Sequence, residues 1–152
     1  WSLFLAACMM LGSSLVDPAQ LCVTGYSLGG EACWNLATRY GSQISCAAFF
    51  AASCPWPHGF SNLDEIFAEL RDLPIRSYNG EGDHRTYSWK DFGWIAQRRG
   101  LEWHPKSSPK SHELGSVTVD AYSWGERLEL HLVNGTPTAH CVWEPIYWNE
   151  DT

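Results

Sequence analysis

A chain of 152 residues, 45% apolar and 18% charged, is long enough to bury a sizeable core and too apolar for disorder over most of its length. Its formal net charge of −7 argues against a nucleic-acid partner, because phosphate binding rests on clustered Lys and Arg. The basic stretches, Arg98–Arg99 and Lys106 to Lys110, read as solvated surface, and no repeat or low-complexity segment divides the chain, so residues 1–152 are expected to form one domain.

Taken in order, Trp1 to Leu15 is apolar nearly all round and reads as a buried helix. It lacks a basic leading region and is too short to span a bilayer, so no transmembrane segment is expected; the end of a signal peptide is the alternative. Asp17-Pro18 ends the helix, since a residue before proline avoids the α region. Leu21 to Thr24 suits a short buried strand. It runs into Gly25-Tyr26-Ser27-Leu28-Gly29-Gly30, and Glu31 to Tyr40 then follows a helical pattern with Gly41 as its C-cap. Ile44 to Ala52 is a second buried strand. Ser61, with Asp64 three residues on, resembles a capping box that opens a helix to Arg71. Pro74 to Tyr78 forms a third strand, and Gly80 to Asp83 a turn.

Thr86 to Arg99 carries Trp89, Phe92, Ile95 and Ala96 at helical spacing, and Gly100 ends that helix. Leu101 to Trp103 reads as a short strand and Lys106 to Gly115, rich in Ser, Pro and Lys, as a surface loop. Val117 to Tyr122 and Arg127 to Val133 alternate apolar and polar residues around a turn, a hairpin signal. A loop from Asn134 to Cys141 leads to a short helix near Val142 to Tyr147. Strands alternating with helices imply an α/β fold, a mainly parallel sheet with helices on both faces. In such sheets ligands sit beyond the C-terminal ends of the strands.

Six cysteines (Cys8, Cys22, Cys33, Cys46, Cys54, Cys141) are spread without a C-x-x-C pair. Zinc spacing is absent, and Cys54 with His58 makes at most half a site, so no metal is expected. The even count permits disulfides, but several cysteines lie in apolar runs where a free thiol packs as a small hydrophobe. Reduced thiols are favoured, and a cytoplasmic location over a secreted one. Asn134-Gly135-Thr136 matches a glycosylation acceptor, a tripeptide common by chance. The nine Trp residues are read as core or pocket lining.

Gly25-Tyr26-Ser27-Leu28-Gly29 fits G-x-S-x-G. A nucleophilic serine needs its hydroxyl held clear of the backbone at a tight turn, and the flanking glycines let strand and helix approach where a Cβ would clash. The turn places Ser27 at a helix N-terminus, which stabilises developing negative charge, and makes the Leu28 amide an oxyanion donor. The pentapeptide alone is weak, and a glycine-rich structural turn is the bland alternative; the strand before it and the helix after it supply the specificity.

Such a serine needs a base, and the base an orienting acid, in the chain order Ser, Asp or Glu, His. Asp83 follows the third strand and His140 the last strand, on the edge where Ser27 also lies. Among rivals, Asp72 falls on the opposite edge, Asp91 inside a helix, His131 within a strand and His112 in a surface loop. Glu81 can substitute for Asp83; His58 and His84 are loop residues near the same edge. Tyr26, His84, Trp56 and Trp143 are candidate walls of the substrate pocket.

The segment Val16 to Gly30, with its Gly25-Tyr26-Ser27-Leu28-Gly29-Gly30 elbow, resembles serine esterases of the α/β-hydrolase superfamily. The similar branch holds phospholipase/carboxylesterases, polyhydroxybutyrate depolymerases and predicted peptidases. There a short strand leads into a His-Gly-x-x-Asp segment bearing the acid; Leu73 to Asp83 looks like it, with Asn79 in place of His. The branch's catalytic His is followed closely by Trp, as in His140-Cys141-Val142-Trp143. The resemblance spans about Asp17 to Tyr147. It implies Ser27 as nucleophile, His140 as base and Asp83 as orienting acid, acting on a small-molecule or lipid-like ester without a cofactor.

That family has several strands before the elbow, and an early loop supplies the second oxyanion donor. Here one helix precedes the elbow, so the chain is expected to be the C-terminal portion of an α/β-hydrolase whose N-terminal strands are missing, either a fragment of a longer protein or a chain whose missing half another chain supplies. The isolated chain is therefore expected to be poorly soluble and weakly active, with an exposed sheet edge. A peptidase or thioesterase would use the same three residues, and a catalytically inactive binding protein is the alternative of a different class. Oligomeric state is not legible.

Overall fold

In the computed structural model, which describes residues 20–53, 63–83, 88–143 and 146, the apolar runs pair as strands and the amphipathic segments between them coil as helices. They follow the order β1 (Cys22–Tyr26), α1 (Leu28–Tyr40), β2 (Cys46–Phe50), α2 (Leu63–Leu70), β3 (Ile75–Gly80), α3 (Ser88–Arg98), β4 (Lys110–Leu114), β5 (Val117–Ser123) and β6 (Leu128–Asn134). All six strands join one sheet in the order β1-β2-β3-β6-β5-β4. β1, β2, β3 and β6 run parallel, β5 pairs antiparallel to β6, and β4 pairs antiparallel to β5 and so runs in the direction of the other four. The fold is α/β with a mixed sheet. Parallel neighbours need crossover connections, and α1, α2 and α3 supply them. The parallel register brings Tyr26, Phe50, Gly80 and Asn134, the ends of four strands, to one edge of the sheet.

One sheet face presents Val23, Ala47, Phe49, Ile75, Leu128 and Leu130 to the three helices, which contribute Trp34, Ile66, Leu70, Phe92 and Ile95. The Trp34 ring stacks on Phe49 with centroids 3.8 Å apart. Each such fully buried side chain stabilises the fold by roughly 1.5–3 kcal/mol. The other face gathers Phe50, Val117, Val119 and Val133 under Val142, Trp143 and Ile146. Among the described residues α1, α2 and α3 pack on one face, and the opposite face is covered by the segment after His140, in which Trp143 and Ile146 have helical backbone.

Several local expectations are corrected. Lys110 to Leu114, read as loop, is an edge strand paired to β5; its Lys-Ser-His-Glu sequence carries no apolar alternation because four of its five residues are exposed, and charge on an edge strand blocks further pairing. Leu101 to Trp103 forms no strand; Trp103 instead packs its ring where a Cβ on Gly93 would stand and accepts the Trp124 indole N–H at 3.0 Å. Gly41 does cap the helix over Leu28–Tyr40, but with right-handed backbone, φ −58°; it is glycine because the Glu69 carbonyl passes against it. Arg99 is not solvated surface. Its guanidinium donates to the carbonyls of Leu70, Leu73 and Arg127, and burial lowers its pKa to about 10.

The cysteine expectation is corrected too. Cys22 and Cys46 lie opposite each other in the β1–β2 register, Cα atoms 4.7 Å apart, and form a disulfide. That distance suits a disulfide, and register is invisible in a linear sequence. The pairing removes the ground for favouring a cytoplasmic location, since such bonds persist in oxidising compartments. Cys33 and Cys141 are free thiols; Cys33 donates to the Thr24 carbonyl and burial raises its pKa. Cys8, Cys54, His58, the helix expected over Trp1 to Leu15 and the Ser61 capping box lie outside the described residues. Among the described residues no helix is long and apolar enough to cross a membrane, and no three His, Cys, Asp or Glu side chains gather as metal ligands.

Candidate active site

Ser27 is the single residue between β1 and α1. Its φ of 53° with ψ of −123° is a conformation that costs a residue with a Cβ roughly 1–3 kcal/mol. The surroundings hold it there: its N–H donates to the Phe50 carbonyl at 2.9 Å and its carbonyl accepts the Glu31 N–H at 3.0 Å. A Cβ on Gly25 would overlap the Gly29 carbonyl, and one on Gly30 would overlap Ala52. Among the described residues, nothing stands within 4 Å of a Cβ on Gly29. The close approach thus needs Gly25 and Gly30, not Gly29 as the motif implied. The first N–H groups of a helix lack intrahelical acceptors, so the Leu28 amide stands beside the Ser27 hydroxyl as a donor. The Leu28 side chain itself is 77% exposed.

Asp83 closes the turn that leaves β3, its N–H donating to the Gly80 carbonyl at 3.1 Å; Gly82, at φ 84°, supplies the left-handed residue that turn requires. His140 stands on the loop after β6. That loop is folded on itself: the Thr136 hydroxyl and the Cys141 N–H both donate to the Thr138 carbonyl. The His140 ring bridges the other two residues. Nδ1 lies 2.7 Å from Asp83 Oδ2 and Nε2 lies 2.9 Å from Ser27 Oγ. The Asp83 side chain is 5% exposed and that of His140 30%. An ionised carboxylate only accepts, so Nδ1 carries the proton and Nε2 is left to accept the Ser27 hydroxyl. The arrangement can move a proton from Ser27 to His140 while Asp83 holds the ring.

The structure also places the remaining sequence candidates. Tyr26 donates its hydroxyl to the His140 carbonyl at 3.0 Å. Trp143 packs edge-on to Phe50, 4.7 Å between centroids, and tilts toward Tyr26. His84 and Trp56 lie outside the described residues. Of the rivals, Glu81 is exposed, Asp72 pairs with Arg71 ahead of β3, Asp91 belongs to α3 and His112 to β4. His131 bonds Glu129 at 3.1 Å and stacks on Tyr78; burial lowers its pKa, against the opposing pull of Glu129. Two contacts at this edge carried no signal in the sequence. The Ser53 hydroxyl donates to Glu31 at 2.7 Å, and Gly80 packs against the Ala139 carbonyl; both join segments distant in the chain.

No family profile matches the chain, and no curated protein matches it either. Among solved structures it is similar to an acetyl xylan esterase from Aspergillus awamori, with a TM-score of 0.60 and 15% sequence identity over 99% of this chain. At that identity the likeness is one of fold. The chain spans 65% of the length of that solved chain.

Proposed function

We propose that the chain carries the acyl-transfer centre of a serine esterase of the α/β-hydrolase type, as the C-terminal portion of that fold. One observation carries the reading: a hydroxyl, an imidazole and a buried carboxylate stand in a hydrogen-bonded row, 2.9 and 2.7 Å apart, on a strained strand-to-helix turn. A structural turn has no need of that row.

In this reading His140 takes the Ser27 proton as Ser27 Oγ attacks an ester carbonyl, and Asp83 fixes the ring and stabilises the imidazolium. The oxyanion rests on the Leu28 amide and on a second donor. His140 then gives its proton to the leaving alcohol, and water, activated by the same ring, hydrolyses the acyl-enzyme. The steps call for no metal or organic cofactor. Tyr26, Trp143, and the expected His84 and Trp56 flank the substrate. Acetyl esters are the first substrates to try, since the structural neighbour is named for one.

The test is labelling of the full-length protein with a fluorophosphonate. Labelling that disappears in Ser27→Ala and slows on the order of ten-thousandfold in Asp83→Asn supports the reading. An unlabelled wild type would leave a binding protein on a hydrolase scaffold. Turnover of thioesters or peptides in preference to esters would reassign the substrate class and keep the residues.

A further inference from the structure

We propose that Tyr26 is a positioning residue: it ties the loop that carries the base to the turn that carries the nucleophile. The inference rests on the esterase reading above and deepens it.

The Ser27 to His140 contact joins two segments 113 residues apart in sequence. Ser27 is fixed by backbone bonds to Phe50 and Glu31. His140 belongs to a loop, and its ring is 30% exposed. What holds the loop against the turn is the residue covalently next to the nucleophile. Tyr26 ends β1 and sends its side chain to the sheet face of Phe50, Tyr78 and Trp143. There its hydroxyl donates to the backbone carbonyl of His140 at 3.0 Å, an oxygen that also accepts the Val142 N–H at 3.0 Å. The two rings lie 5.4 Å apart, tilted at 45°.

A short circuit results. It runs from Ser27 Oγ through the Tyr26 side chain to the His140 backbone, and returns through the imidazole to Ser27. Both ends of the catalytic hydrogen bond are thereby referred to one rigid strand end, and a misplacement near 1 Å at such a contact costs on the order of a hundredfold in rate. With the Tyr26 hydroxyl committed to His140, that oxygen governs turnover rather than substrate affinity, while the ring keeps its place beside the substrate.

Tyr26→Phe in the full-length protein removes the oxygen and keeps the ring. The expected result is a fall of about tenfold in kcat toward a short acyl ester, the factor that one ordinary hydrogen bond supplies. KM should stay within twofold, and fluorophosphonate labelling should slow in parallel. By nuclear magnetic resonance, the downfield His140 Nδ1 proton should exchange faster with solvent than in wild type. Unchanged kcat, a change confined to KM, or a lost rate recovered by cooling below a depressed Tm would each overturn the proposal. A wild type inert to the probe would sink the esterase reading; the Nδ1 resonance would then still decide whether Tyr26 fixes the loop, an unchanged exchange rate overturning it.

Discussion

Gly80 and Ala139 lie in such close contact that a Cβ on Gly80 would overlap the Ala139 carbonyl. Gly80 ends the strand that leads to Asp83, and Ala139 immediately precedes His140, so the approach of these two residues sets how closely Asp83 and His140 can meet.

Gly80→Ala should therefore push the His140 loop off its seat. The expected stability loss is the ordinary cost of overpacking, about 1–3 kcal/mol, while labelling of Ser27 should slow on the order of a hundredfold. Thermal melts and labelling rates on the same sample separate the two effects. Labelling at the wild-type rate would mean that the loop adjusts without cost.

The strain at Ser27 makes a prediction of opposite sign. With φ at 53°, replacement by glycine removes the penalty of a Cβ in that region, and Ser27→Gly should gain up to about 1 kcal/mol in stability while abolishing labelling. Ser27→Ala keeps the Cβ and should gain nothing. Equal Tm values for the glycine and alanine variants would argue that the turn is unstrained.

The Cys22–Cys46 bond ties β1, an edge strand among the described residues, to β2. The cysteines are 24 residues apart in sequence, and a loop of that size is worth about 3.5 kcal/mol by chain entropy. Cys22→Ser with Cys46→Ser should lower the denaturant midpoint accordingly, and dithiothreitol should do the same to wild type alone. Indifference of wild type to the reductant would count against a structural disulfide.

Acid should destabilise the sheet through Glu129 and His131. Burial pushes the Glu129 carboxyl up, but its bonds and charge contacts with His131 and Arg76 hold it below its ordinary value. Its contribution is thus present at neutral pH and lost as pH falls through its native value. Burial depresses His131, so the unfolded chain takes up that proton first as pH drops below the ordinary imidazole value of 6.5. Both groups make the unfolded state bind more protons, and stability falls on acidification. Melts of wild type and His131→Gln across this range should show a flatter decline in the variant; parallel curves would remove His131 from the account.

The elements and the meeting of Ser27, Asp83 and His140 were legible for different reasons. Strand, glycine turn and helix over residues 21–40 are specified locally, by apolar runs and by backbone that only glycine tolerates. The order Ser, Asp, His follows from strand ends that parallel pairing gathers at one edge. By contrast, Lys110 to Leu114 offered no period to read, because four of its five residues stand in solvent and only Leu114 packs on the core.

What the linear sequence determined on its own was the α/β alternation, the elbow, and the loops on which an acid and an imidazole would lie. Tertiary structure alone decided the Cys22–Cys46 pair, the side of the sheet taken by the three helices, the burial of Arg99, and the grip of Tyr26 on His140. Each of these depends on strand register and on which distant segments touch. Local propensity and hydrophobic period fix elements residue by residue, whereas contacts across tens of residues emerge only once the packed sheet sets the distances between them.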